Sequence, residues 1–252
     1  MTRTKRRRSA AQPLLLTLVI LIALGVSTHC VLANLPQAAS LPDVPRRTEA
    51  AAAPGTAGAA AEDADWALRL VNPWNALPQD YTVTLVQLRN GQAVDERCYP
   101  DLQAMMDACR AAGLSPLICS SWRSWEDQAA LYQSKVAQFE ARGYDRDSAE
   151  AEAGQIVAVP GTSEHQLGLA VDIVDESYQH LDEAQARTAV QQWLLEHCWE
   201  YGFVLRYPPE KSGLTGIIYE PWHYRYVGRV AARAMRQQDV CLEEYLASAE
   251  LA

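Results

Sequence analysis

Apolar residues recur at helical spacing between Pro100 and Ala112, where Leu102, Met105, Met106 and Cys109 fall at i, i+3, i+4 and i+7 ahead of Gly113. This spacing predicts an amphipathic helix, and Leu117-Ile118-Cys119 follows it as a short strand. Ser124, with Asp127 three residues on, reads as the N-terminal cap of a second helix that runs toward Arg142 and stops at Gly143. Farther along the period changes. Leu169, Val171 and Ile173 alternate with Ala170, Asp172 and Val174, which predicts a strand, and Asp182 to Tyr201 is expected to form one more helix closed by Gly202. Phe203 to Tyr207 and Ile217 to Tyr219 are the next expected strands, and the turn-rich stretch from Pro208 to Gly213 would join them as a long hairpin. With helices mainly before and after the later strands, the expected fold class is α+β with a small, largely antiparallel sheet.

The N-terminal part follows a different pattern. Leu14 to Thr28 is uncharged and strongly apolar, continues through His29 and Cys30 to Ala33, and is preceded by Arg3, Lys5, Arg6, Arg7 and Arg8. A basic flank before an apolar run marks an export segment. Val31-Leu32-Ala33 offers small residues for a signal peptidase, yet the run is about long enough to span a bilayer. The expectation is a retained single-pass anchor, its basic end in the cytoplasm and the domain outside, with secretion after cleavage as the alternative. Cys30 does not mark a lipoprotein, because Ser27-Thr28-His29 fits that signal badly. From Asn34 to about Ala64 the chain is rich in Ala and Pro, a composition with too little apolar surface to fold, and it reads as a spacer. The expected organisation is residues 1–33 anchor, 34–64 linker and 65–252 a single folded domain.

Charge narrows the partners. Five of the 22 basic residues lie before residue 9, which leaves 17 against 31 acidic ones in the rest of the chain. A domain that acidic is a poor partner for nucleic acid, and any anion it recognises must meet a local cation. Setting Cys30 aside, the five cysteines Cys98, Cys109, Cys119, Cys198 and Cys241 form no CxxC pair, so a thiolate zinc site is not expected and small buried hydrophobes are. The domain is expected to act as a monomer.

Two of the five histidines sit in unusual company. His165 precedes Gly168 and, within a strand, Asp172; His223 follows Glu220 by three residues. Taken singly, each has an ordinary structural reading: His165 capping a turn, Asp172 at a strand end, His223 half-buried on a strand. A carboxylate among Leu169, Val171, Ile173 and Val174, however, needs a strong partner. His165, Asp172 and His223 make up the three-ligand set of a catalytic zinc, whose fourth position holds water. Zinc lowers the pKa of that water, and Glu220 is placed to take its proton. His180, in a polar loop, and His197, near a helix end, are assigned ordinary structural roles. Trp122, Trp125, Trp193, Trp199 and Trp222 are candidates to line a cleft, with Trp193 more simply part of the core.

Three motifs now stand in order: Ser120-Ser121-Trp122-Arg123-Ser124, Ser163-x-His165 through Asp172, and Glu220-Pro221-Trp222-His223. Together they resemble the arginine motif, the SxHxxGxAxD signature and the second metal motif of VanY-type D-alanyl-D-alanine carboxypeptidases of the M15 metallopeptidase family, over roughly Asp65 to Leu246. The resemblance implies the α+β fold of Hedgehog and DD-peptidase domains, one zinc on His165, Asp172 and His223, Glu220 as general base, and Arg123 as the substrate and transition-state group. Ser163 and Gln128 are implied as further substrate contacts. Ser121 and Trp122 stand where the family usually has Gly and Tyr, which alters the pocket wall but keeps the cation. Arg123 also has its own case: a carboxypeptidase must neutralise a terminal carboxylate or an oxyanion, and a guanidinium does so bidentately.

The implied activity is removal of the last D-Ala from a peptidoglycan stem peptide. An L,D-carboxypeptidase or peptidoglycan endopeptidase of the same family is the alternative. A non-catalytic wall-binding module is a further one, marked by loss of Glu220 or of a ligand, and all four residues are present.

Overall fold

The structure is a computed structural model that describes residues 66–250. The sequence readings for the anchor and the linker lie outside these residues. Among the described residues no helix is long and apolar enough to cross a membrane.

A short hairpin opens the fold, strands β1 (Leu85–Gln87) and β2 (Ala93–Asp95) pairing antiparallel across the turn at Asn90-Gly91. Helix α1 (Tyr99–Ala111) begins with proline in its first turn, carries Asp101 near its N-terminus and Arg110 near its C-terminus, and ends before Gly113. Those charges suit the helix dipole, and the positive φ of Gly113 lets the chain turn back. Strand β3 (Pro116–Ser120) follows, then α2 (Trp125–Glu140) and α3 (Arg146–Gly154). Ser124 and Asp145 cap these two helices through their side chains. Strand β4 (Ala170–Asp175), helix α4 (Ala189–His197), strand β5 (Phe203–Leu205), the one-turn helix α5 (Ser212–Thr215), strand β6 (His223–Tyr226) and helices α6 (Arg229–Gln238) and α7 (Leu242–Glu250) complete the order.

The main sheet runs β3-β4-β6-β5 and is antiparallel at every pairing. The α+β reading therefore holds. Leu169, Val171 and Ile173 point to the principal core with Leu102, Met105 and Cys109 of α1 and Val190 and Leu194 of α4. Each fully buried aliphatic side chain of this kind contributes about 1.5–3 kcal/mol. A buried amide ties the layers together: Gln191 donates to the carbonyl of Ile173 and accepts from the Tyr224 hydroxyl at 2.7 Å. α2 and α3 pack on one another through Tyr132, Val136, Phe139, Ala149 and Ala153, and α6 and α7 share a smaller cluster with Val204 and Val227. The five cysteines among the described residues are free thiols, four of them buried and Cys119 half-buried.

Two sequence readings need correction. The single helix expected from Asp182 to Tyr201 is three pieces: a 3-10 turn Glu183–Arg187, α4, and a second 3-10 turn Cys198–Tyr201 closed by Gly202. Asp182 and Thr188 are both capping residues, each accepting a backbone N–H through its side chain, so the second cap restarts the helix six residues after the first. The hairpin partner of β5 is also not Ile217 to Tyr219 but β6. Ile218 instead donates its N–H to the Gln155 carbonyl, which fastens the 206–222 loop to the end of α3.

Candidate metal centre and catalytic cleft

The 3-10 turn Glu164–Leu167 presents His165, and Gly168 then reverses the chain into β4 with φ of 74°. Any side chain at 168 would set a Cβ 3.0 Å from the backbone nitrogen of Asp95, so glycine is required twice over, by conformation and by space. Across the β4–β6 ladder Asp172 and His223 are register partners, which brings carboxylate and imidazole side by side. His165 Nε2 lies 3.4 Å from Asp172 Oδ2, and His223 Nδ1 lies 3.2 Å from Asp172 Oδ1. The two imidazoles meet edge to face, 4.9 Å between centroids.

All three side chains are buried, and their ligand atoms lie within 4.8 Å of one another. Asp172 Oδ1 has no hydrogen-bond partner although it is shut off from solvent. A buried carboxylate set between two imidazole nitrogens, with one oxygen left without a partner, is a donor set that suits zinc, so the residues fit the metal. His165 is held by its other nitrogen, Nδ1, 2.7 Å from the Ser121 carbonyl, which fixes a proton there and turns the Nε2 lone pair inward. Burial alone would raise the Asp172 carboxyl, but the electrostatic pull of His165 and His223 outweighs it and holds the group well below the usual carboxylate range.

Glu220 stands beside this cluster, its Oε2 3.6 Å from His223 Nδ1. Burial, joined by repulsion from Asp172 and opposed by His223 and Arg123, pushes it up to about 8. A carboxyl so poised gains and loses a proton near neutrality. Arg123 is largely buried; desolvation lowers its pKa while Asp172, Glu220 and Asp127 counter the loss. Its guanidinium donates to Gln128 Oε1 at 2.6 Å and to Ser120 Oγ at 2.8 Å. These residues face a cleft of about 510 Å³, with Ser163, Tyr207 and Trp222 on its walls and Leu131 and Lys135 of α2 along one side.

The structure therefore brings together His165, Asp172, His223, Glu220, Arg123 and Ser163. Gln128 does not line that cleft. It is fully buried, its amide oxygen accepting from Arg123 and its amide nitrogen donating to the Ala158 carbonyl at 2.6 Å, so it holds the arginine in place. His180 and His197 stay apart: His180 packs against Tyr178, and His197 bonds Glu200 and lies on Trp193. Of the five candidate tryptophans Trp222 lines the cleft, whereas Trp193 packs against the core.

Sequence reasoning missed a buried ionic group behind the ligands. Glu164 Oε1 accepts from Arg206 and from Arg225, each at 2.7 Å, and Arg206 also forks onto Glu243 of α7 at 2.6 and 2.9 Å. Arg225 donates further to the carbonyls of Ala67 and Arg69. The signal was present in the β6 sequence His-Tyr-Arg-Tyr, where alternation puts Arg225 on the same face as His223.

Residues 91–229 match the family model described as VanY, D-alanyl-D-alanine carboxypeptidase. A D-alanyl-D-alanine carboxypeptidase of Enterococcus faecalis is 47% identical over 191 residues, covering 76% of this chain and 69% of the relative. Among solved structures, VanYB in complex with D-alanine-D-alanine matches with a TM-score of 0.67 and 48% identity, covering 72% of this chain and 97% of that one. A mutant of the D,D-pentapeptidase VanY from a VanB-type resistance cassette, in complex with Zn(II), matches with a TM-score of 0.66 and 48% identity, over 72% of this chain and 99% of that one. On this extent of likeness and the motifs it spans, the chain belongs to the VanY family of D-alanyl-D-alanine carboxypeptidases.

Proposed function

We propose that the chain is a zinc metallocarboxypeptidase that removes the C-terminal D-Ala from peptidoglycan stem peptides ending in D-Ala-D-Ala. The observation that carries this reading is the buried His165–Asp172–His223 cluster, with its open carboxylate oxygen, set in one cleft with Glu220 and Arg123. Zinc held by those three ligands would supply the Lewis acid that acidifies a water and polarises the scissile carbonyl. Glu220 takes the proton from the attacking water and returns it to the leaving amine, a double role that suits a carboxyl poised near neutrality. Arg123 meets the terminal carboxylate or the oxyanion that develops next to it, and Gln128 and Ser120 keep its fork aimed. Tyr207 and Trp222 wall the cleft beside these groups.

Arg123 separates the carboxypeptidase reading from the endopeptidase one, because only a carboxypeptidase needs a cation for a free terminus. The test compares a stem pentapeptide, the same peptide amidated at its last D-Ala, and a crosslinked dimer, with products followed by mass spectrometry. Amidation should weaken kcat/KM by about 2–5 kcal/mol, since a buried guanidinium then faces a neutral group. Equal cutting of acid and amide, or faster cutting inside the dimer, would favour the endopeptidase. We also propose that the apolar run from Leu14 to Ala33 holds the monomeric enzyme at the outer face of the membrane. Recovery of the full chain in the soluble fraction of intact cells would overturn that placement.

A further inference from the structure

Glu164 has two oxygens with different tasks. Oε1 takes both guanidinium contacts, from Arg206 and Arg225. Oε2 has no hydrogen-bond partner and is fully buried, and the group it faces is His223 Nε2, 3.6 Å away and likewise without a partner. Two complementary buried atoms thus stand opposite one another, a little outside hydrogen-bond length. His223 meets Asp172 with Nδ1, whereas His165 meets it with Nε2, so the two histidines use opposite nitrogens and need opposite tautomers. For His165 the Ser121 carbonyl sets the choice. For His223 no backbone carbonyl among the described residues is bonded to the ring.

We propose that Glu164 is the positioning carboxylate of the metal centre. It holds the proton of His223 on Nε2 and so frees Nδ1 to bind zinc, while Arg206 and Arg225 keep Glu164 ionised and immobile. This inference rests on the assignment of zinc to His165, Asp172 and His223. The two guanidiniums also fix which oxygen faces the histidine. Both contacts fall on Oε1, so an amide at this position must give its oxygen to the arginines and turn its NH2 toward His223. That NH2 favours the tautomer with Nε2 as acceptor and the proton on Nδ1, the atom the metal needs. Loss of a carboxylate behind a ligating histidine typically costs 10–100-fold in metal affinity.

The test measures zinc affinity of the full chain by competition with a chromophoric chelator, for wild type, Glu164→Gln and Glu243→Gln. Glu243 belongs to the same ionic group but touches Arg206 rather than His223, so it controls for general weakening of the cluster. Glu164→Gln should bind zinc at least tenfold more weakly, whereas Glu243→Gln should lower Tm and leave zinc affinity within about threefold of wild type. A folded Glu164→Gln protein with wild-type affinity, or equal losses in the two variants, would overturn the proposal. Should Glu164→Gln not fold, long-range 15N–1H spectra of zinc-loaded wild type decide: a proton on His223 Nε2 supports the role of Glu164, and a proton on Nδ1 overturns it. Wild-type protein that binds no zinc at all would instead remove the underlying metal assignment.

Discussion

Asp172 illustrates how much of the chemistry depends on single side chains. A carboxylate with one oxygen buried and unmatched between two imidazoles is costly without a cation, so each ligand should be indispensable to the metal. His165→Ala, Asp172→Ala and His223→Ala are each expected to lose zinc, checked by elemental analysis of the purified proteins; stoichiometric zinc in all three would end the assignment. Glu220 has a different role. Glu220→Gln keeps the shape and removes the proton acceptor, so it should retain the metal and lose on the order of 10²–10⁴ in kcat. Near-normal turnover would place the base elsewhere. These residues were legible because their types are rare in a strand or before a glycine turn. Glu164 and Arg225 were harder to read, since their charges cancel inside the protein and alternation alone, which puts Arg225 on the face of His223, does not tell a buried arginine from an exposed one.

At the scale of elements, the apolar alternation of β4 and the four-residue spacing of α1 were plain in the sequence, because each has one uniformly apolar face. Strand β6 was not legible. His223-Tyr224-Arg225-Tyr226 is entirely buried, yet Tyr224 and Arg225 are satisfied by other buried polar groups, so a pattern that equates polar with exposed passes over it. The turn between His165 and β4 offers a graded test. Gly168→Ala meets both a positive φ and a 3.0 Å approach to Asp95, and should cost about 1–3 kcal/mol and displace His165 enough to weaken zinc binding. Gly113→Ala has a similar φ of 81° but open space around it, so it should lower Tm modestly and leave zinc binding unchanged. Thermal melts with parallel chelator competition distinguish the two; equal zinc affinity in both variants would mean the turn does not set the ligand.

For the whole molecule, the metal is expected to be part of the folding free energy. Zinc bound to the native state alone adds about 4 kcal/mol at a thousand times its Kd, so chelation should lower Tm and added zinc restore it, with no response in Asp172→Ala. A chelator-insensitive melt of the wild type would contradict this. The family match ends at residue 229, but the ionic group behind the centre draws on Ala67 and Arg69 at one end of the described chain and on Glu243 near the other, with Asn72 donating to Glu243 at 3.0 Å. A chain still being synthesised therefore holds its ligands before Glu243 can reach Arg206 behind them. Helix α7, made after every ligand, completes the cluster. Stability of the domain is accordingly gained late in the life of the polypeptide, set by arrival of Glu243 rather than by synthesis of His223, and a chain cut short of Glu243 should carry every zinc ligand yet melt below the full chain.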